Sequence, residues 1–155
     1  MTELGDLLAL DAVLPSLAAA NKRALFAGLG TAAAQVWGLN KATVSERLSE
    51  REKLGTTGYG NGIAVPHARI EGLTQVRGLF VRLPRPIDYA AVDELPVDLF
   101  FVLLSPTDAG TDHLKALARV SRRLRERGFA DKLRGAGSRD ALFVLLTGDD
   151  VRDAA

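Results

Sequence analysis

Gly55-Thr56-Thr57-Gly58-Tyr59-Gly60-Asn61-Gly62-Ile63-Ala64-Val65-Pro66-His67-Ala68-Arg69 places four glycines in its first eight residues and ends a short apolar segment in Pro66-His67. Glycine tolerates positive φ and lets backbone approach backbone, so this density predicts a tightly folded loop. Ile63 to Val65 reads as a short strand. Pro66 holds Val65 in extended geometry and fixes its own φ, so His67 leaves the strand in a defined direction. An imidazole at a strand end, beside free backbone N–H groups, is suited to carry or meet an anion.

Known anion loops do not fit the stretch. No Gly-Lys-Ser/Thr follows, as a phosphate-binding P-loop requires, and the alternating glycines lead into a strand rather than a helix, unlike a dinucleotide fingerprint. On spacing alone, plain turn chemistry next to a structural histidine is the favoured reading. With Arg51-Glu52-Lys53-Leu54 in front, however, the string closely resembles a phosphorylation-site signature. The signature belongs to bacterial phosphotransferase-system enzyme IIA proteins of the fructose/mannitol/nitrogen-regulatory family, and reads roughly R-E-x-x-G-S-T-G-x-G-x-G-x-A-x-P-H. Thr56 stands where Ser is usual and Tyr59 where an aliphatic is usual; neither change removes an imidazole or a charge. The resemblance runs from about Asn21 to about Leu146.

Composition sets broad bounds. The chain has 155 residues, enough for one domain with a real core. We expect a single domain over residues 1–155, with its core at about 7–147 and a frayed acidic tail over 148–155. A formal net charge of +1 argues against nucleic-acid binding. The absence of cysteine excludes a disulfide framework, a thiolate metal site and a thiol nucleophile. The N-terminus lacks a basic region followed by a continuous apolar one, and the longest apolar run, Leu99 to Leu104, is too short to span a bilayer. The expectation is a cytoplasmic domain without membrane insertion, metal or cofactor.

Along the chain, Leu7 to Leu17 reads as an irregular lead-in with a short edge strand near Val13. Asn21 caps a helix through Trp37, stopped by Gly38 and weakened by Gly28 and Gly30. Thr43 and Glu46 have capping-box spacing and open a second helix, which ends at Leu54-Gly55. Gly78 to Leu83 forms a strand stopped by Pro84 and Pro86. The nearly continuous apolar run Val97 to Leu104 reads as a strand buried on both faces. Thr111 caps a helix from Asp112 to about Arg127, with Leu114, Leu117, Ala118 and Leu124 as its apolar side and Gly128 as its stop. Short helices follow at Ala130 to Arg134 and at Ser138 to Leu146. The mixture defines an α/β sandwich, and the resemblance implies a single domain with a mixed central β-sheet flanked by α-helices, as in the mannitol-type enzyme IIA.

The resemblance also assigns chemistry. His67 matches the histidine that takes phosphate from a phosphorylated HPr-type protein, and the family implies Nε2 as the acceptor. His113, 46 residues later (113 − 67), matches a helix-start histidine that stabilises or orients the phosphate; the alternative is a structural residue of the first turn. Arg51, sixteen residues before His67 (67 − 51), matches the arginine near the site, and a guanidinium can hold two phosphate oxygens at once. The alternative is an ordinary helix-surface arginine. Glu52 reads as a solvated neighbour. Gly60, Asn61 and Gly62 are candidates for backbone donors to the phosphate. The basic helix from Lys115 to Arg125 reads as a solvated face, with docking of an acidic protein as the other reading.

The function implied is a phosphohistidine carrier of the phosphoenolpyruvate-dependent phosphotransferase system. Its donor would be phospho-HPr or the nitrogen-branch relative of HPr. Two outputs compete. A nitrogen-related regulator reports its phosphorylation state to target proteins, which in the family are potassium transporters or sensor kinases. A fructose/mannitol-type component instead passes phosphate to a IIB cysteine for sugar uptake. The free-standing chain favours the first. A protein-interaction module that is never phosphorylated, and an anion-binding enzyme with His67 as general base, are the readings from other classes. The missing carboxylate partner disfavours the enzyme, and the joint presence of His67, His113 and Arg51 disfavours the module.

Overall fold

A computed structural model describes residues 4–148; the expected frayed tail beyond Gly148 lies outside them. After a 3-10 turn at Leu10–Ala12, the elements are β1 (Val13–Leu14), α1 (Lys22–Trp37), α2 (Lys41–Lys53), β2 (Gly58–Gly60), β3 (Ile63–Ala64), β4 (His67–Arg69), β5 (Arg77–Ile87), β6 (Val97–Ser105), α3 (Thr111–Leu124), α4 (Phe129–Gly135) and α5 (Arg139–Thr147). The strands form one sheet in the order β1-β5-β6-β3-β2, with β4 also on β6. It is mixed: β5 and β6 are antiparallel, β3 and β4 run parallel to β6, β1 runs parallel to β5, and β2 is antiparallel to β3. No helix is long and apolar enough to cross a membrane, among the described residues.

β6 is the spine. Leu99 to Leu104 are all fully buried, and successive side chains of a strand point to opposite faces, so both faces of the sheet are covered here. The apolar run and its burial match the expectation. So does β1, a short parallel strand at the sheet edge.

α1 also forms as expected. Asn21 Oδ1 accepts from the N–H of Ala24 at 2.8 Å, and Gly38 ends the helix with φ of 70°. Gly28 and Gly30 do not interrupt it. Gly30 lies where α1 meets the start of α2, and a Cβ there would run into the carbonyl oxygen of Lys41. The absence of a side chain is what lets the two helices approach.

Four expectations are corrected. α2 starts at Lys41, because Asn40 Oδ1 accepts from the N–H of Thr43 at 2.9 Å; Thr43 lies inside the first turn instead of capping it. β5 runs on through Pro84 and Pro86. Pairing with β6 shifts between Arg82 and Ile87, so the missing proline N–H groups cost no ladder bond. α3 has Gly110 as its N-cap and Thr111 as its first residue, and it ends at Leu124; Gly128 instead caps α4 with φ of 79°. The buried face of α3 is His113, Ala116, Val120 and Leu124, whereas Leu114 is 62% exposed. That rotation makes a histidine a core-facing residue.

Candidate functional site

The glycine-rich stretch is a hairpin as well as a loop. Asn61 and Gly62, with φ of 58° and 77°, turn β2 back along β3. β3 and β4 then follow β6 in one unbroken register: Ile63 pairs with Leu99 and His67 with Leu103, a constant offset of 36. His67 therefore does not leave the sheet at Pro66, as expected from the sequence. The interruption at Val65-Pro66 frees one carbonyl, that of Val65, which His67 uses.

His67 Nδ1 lies 2.9 Å from the oxygen of Val65. A carbonyl oxygen can only accept, so Nδ1 carries the hydrogen and Nε2 keeps its lone pair. Arg51, in the last turns of α2, donates from Nε to His67 Nε2 at 3.1 Å. A guanidinium can only donate, so both neighbours select the same tautomer. Arg51 Nη1 also donates to the oxygen of Gly55 at 2.9 Å, which ties the guanidinium to the start of the glycine-rich stretch.

His113 joins from α3. Its ring centroid lies 5.4 Å from that of His67, with the planes tilted by 55°. It is 5% exposed, and its Nδ1 is 2.6 Å from Oγ of Ser105, the last residue of β6. The sequence-predicted trio of Arg51, His67 and His113 is thus brought together from α2, β4 and α3.

Both imidazoles are held neutral. Burial lowers the pKa of His67 and the positive charge of Arg51 lowers it further, against the upward pull of the Val65 hydrogen bond and of Glu52. His113 is pushed down to about 4, chiefly by burial, then by repulsion from His67 whenever that ring is protonated, and by the charge of Arg69. The site is therefore a neutral nucleophilic nitrogen beside a permanent cation.

Gly60, Asn61 and Gly62 are not at this site. They lie at the hairpin tip, beyond Ile63, itself four residues and roughly 13 Å along the sheet from His67. The N–H of Asn61 already donates to Asp93 Oδ2 at 3.0 Å, and its carbonyl accepts from Arg134. The residues make the turn and lie away from the histidine pair.

Glu52 is not a solvated neighbour either. Its side chain is 6% exposed and accepts from Lys22 Nζ at 2.9 Å, Thr57 N at 3.1 Å, Thr57 Oγ1 at 2.6 Å and Tyr89 Oη at 3.1 Å. Burial alone would raise its pKa, but the hydrogen bonds from Thr57 and Lys22 outweigh it and hold the carboxyl below its usual range. Burial raises the Tyr89 hydroxyl well above its ordinary value, so it stays a donor. Glu52 thereby pins Thr57, the entry to the hairpin, to the helix that carries Arg51. Sequence reasoning missed both this role and Ser105. The signal for Ser105 was a hydroxyl closing an apolar run, eight residues ahead of a histidine in the first turn of the next helix.

Comparison with known proteins shows the family. Residues 6–148 match the family model described as phosphoenolpyruvate-dependent sugar phosphotransferase system, EIIA 2. The chain belongs to that family of phosphotransfer carriers. It is 47% identical over 141 residues to a protein of Bradyrhizobium diazoefficiens named nitrogen regulatory protein, spanning 91% of this chain and 92% of the relative. Among solved structures, nitrogen regulatory protein IIA-Ntr of Neisseria meningitidis superposes with a TM-score of 0.87 at 33% identity, over 93% of this chain and 99% of that one. The mannitol IIA protein of Escherichia coli, at 19% identity, shares the fold with a TM-score of 0.75 over 90% and 98% of the two chains.

Proposed function

We propose that this protein accepts a phosphoryl group on Nε2 of His67 and serves as a nitrogen-related regulatory output of the phosphotransferase system. The observation that supports it best is the Val65–His67–Arg51 arrangement, which leaves a lone pair on Nε2 and sets a guanidinium beside it. Phosphoryl transfer is governed by positioning and charge stabilisation, so a neutral nucleophile next to a fixed cation is the essential equipment. In the step, the N–P bond of a donor phosphohistidine breaks as the Nε2–P bond of His67 forms. Nδ1 keeps its proton, donated to the Val65 carbonyl, throughout, and Arg51 turns its N–H groups from the lone pair to the phosphoryl oxygens. The donor is a phosphorylated HPr-type protein, and His113 adds a polar contact to the phosphate.

The regulatory branch is favoured because the relatives named above as nitrogen regulatory proteins are the more similar ones in sequence. Its outputs would be target proteins that distinguish the phosphorylated from the free form. The test is a relay of phosphoenolpyruvate, enzyme I and either HPr or its nitrogen-branch relative, followed by intact mass. Wild type should gain one phosphate and His67→Ala none. No gain on wild type from either donor would refute the carrier.

A further inference from the structure

Ser105 and His113 form a buried pair whose donor and acceptor can be assigned from the geometry. Ser105 is fully buried, and its Oγ lies 2.6 Å from His113 Nδ1. Among the described residues, Oγ makes no other hydrogen bond. If the hydroxyl accepted from Nδ1–H, its own proton would be left buried without an acceptor, which costs free energy comparable to a lost hydrogen bond. If the hydroxyl donates, its proton is used and Nδ1 is the acceptor. The imidazole is neutral, so its single hydrogen then sits on Nε2.

We infer that Ser105 is a positioning residue that fixes His113 in the Nε2–H tautomer, so that His113 meets the phosphoryl group of His67 as a hydrogen-bond donor. The two histidines are then held in opposite tautomers. A carbonyl on Nδ1 of His67 exposes a lone pair at its Nε2; a hydroxyl on Nδ1 of His113 exposes an N–H at its own. The ring centroids are 5.4 Å apart, close enough for a phosphoryl group on one ring to meet the other. The other tautomer of His113 would aim a lone pair at phosphate oxygens and repel them. No proton leaves His113 in this step; it contributes only a hydrogen bond that strengthens as charge collects on the phosphoryl oxygens.

The sequence around this pair sets the geometry. Ser105 ends β6, where the ladder still holds it opposite Arg69 of β4, and His113 stands in the first turns of α3, eight residues on. Both side chains are therefore carried by regular elements, and both are buried. Arg69 faces the same region and lowers the pKa of His113 through its charge, which also favours the neutral ring.

This inference rests on the carrier reading above, and the experiment separates the two. Heteronuclear NMR of imidazole-labelled wild type should show His113 neutral at pH 7, protonated on Nε2 and bare on Nδ1. His67 should show the reverse. A bare Nε2 on His113 would overturn the inference whether or not the protein is ever phosphorylated. In Ser105→Ala, His113 should become a mixture of tautomers while His67 keeps its own, and transfer from the phosphorylated HPr-type donor should slow about 3–10-fold. Ser105→Thr, which keeps the hydroxyl, should restore the single tautomer and most of the rate. Unchanged tautomer and rate in Ser105→Ala, with wild type accepting phosphate normally, would refute the role of Ser105 and leave the carrier intact. Absence of any phosphate on wild type would refute the carrier and, with it, the donor role of His113. Should Ser105→Ala not fold, the wild-type spectrum alone decides the tautomer.

Discussion

Arg51 Nε donates to Nε2 of His67 across 3.1 Å, so the lone pair of the neutral imidazole is held by a cation. The contact has two consequences. It opposes protonation of the imidazole, and it places a donor within one bond length of where the phosphorus must arrive. A second bond, from Nη1 to Gly55, keeps the guanidinium from swinging into solvent.

Arg51→Gln removes the cation but retains a side chain of helical propensity. The expected result is phosphoryl transfer slowed by about 10²-fold, with His67 still the acceptor and stability within about 0.5 kcal/mol of wild type. Quench-flow measurement of the first-order transfer step checks this; an unchanged rate would return Arg51 to a helix-surface residue.

Glu52→Ala strips the acceptor from Lys22, Thr57 and Tyr89 together. Breaking a buried ion pair costs about 3–5 kcal/mol, and the 29% exposure of the Lys22 side chain reduces this to about 2–4 kcal/mol. Urea unfolding monitored by circular dichroism is the measurement. A loss under about 1 kcal/mol would mean that water replaces the carboxylate without penalty.

Gly30→Ala sets a methyl against the carbonyl of Lys41. A backbone carbonyl cannot rotate away as a side-chain tip can, so α1 and α2 must part. The expected destabilisation is about 1–3 kcal/mol, although alanine is the better helix former. A thermal midpoint at or above that of wild type would show that the helices separate freely.

His113 gives the fold an acid limit. Its pKa is near 6.5 unfolded and about 4 folded, so the unfolded chain binds more protons between those values. The sign follows: stability is complete above about pH 6.5 and falls as pH drops toward 4, by roughly 2–4 kcal/mol for this residue. Denaturant midpoints at pH 7 and pH 4.5 for wild type and His113→Gln test it, since the variant should lose less stability over the same interval. Equal losses would place the acid sensitivity elsewhere.

Much of this was legible in the chain. The α1 cap at Asn21 and the doubly buried β6 follow from local pattern, and the convergence of Arg51, His67 and His113 from the family resemblance. The misreadings share a physical origin. Pro84 and Pro86 read as stops because a strand edge that needs no N–H partner cannot be seen in one dimension. The face of α3 was misjudged because Leu114 is apolar yet exposed, while His113 is polar yet held inward by Ser105. Glu52 and the Gly60–Gly62 tip were misplaced for a related reason. Neighbours in sequence, they act on different objects in space, one on Thr57 and Tyr89, the other on Asp93 and Arg134.

The central claim is that Nε2 of His67 carries the phosphoryl group. Phosphorus–nitrogen coupling in imidazole-labelled, relay-phosphorylated protein tests it most directly. The account predicts one acid-labile phosphate, coupled to Nε2 of His67, with Nδ1 still protonated on the Val65 carbonyl. A phosphate coupled to Nδ1, or one that survives acid as a hydroxyl ester does, would contradict it.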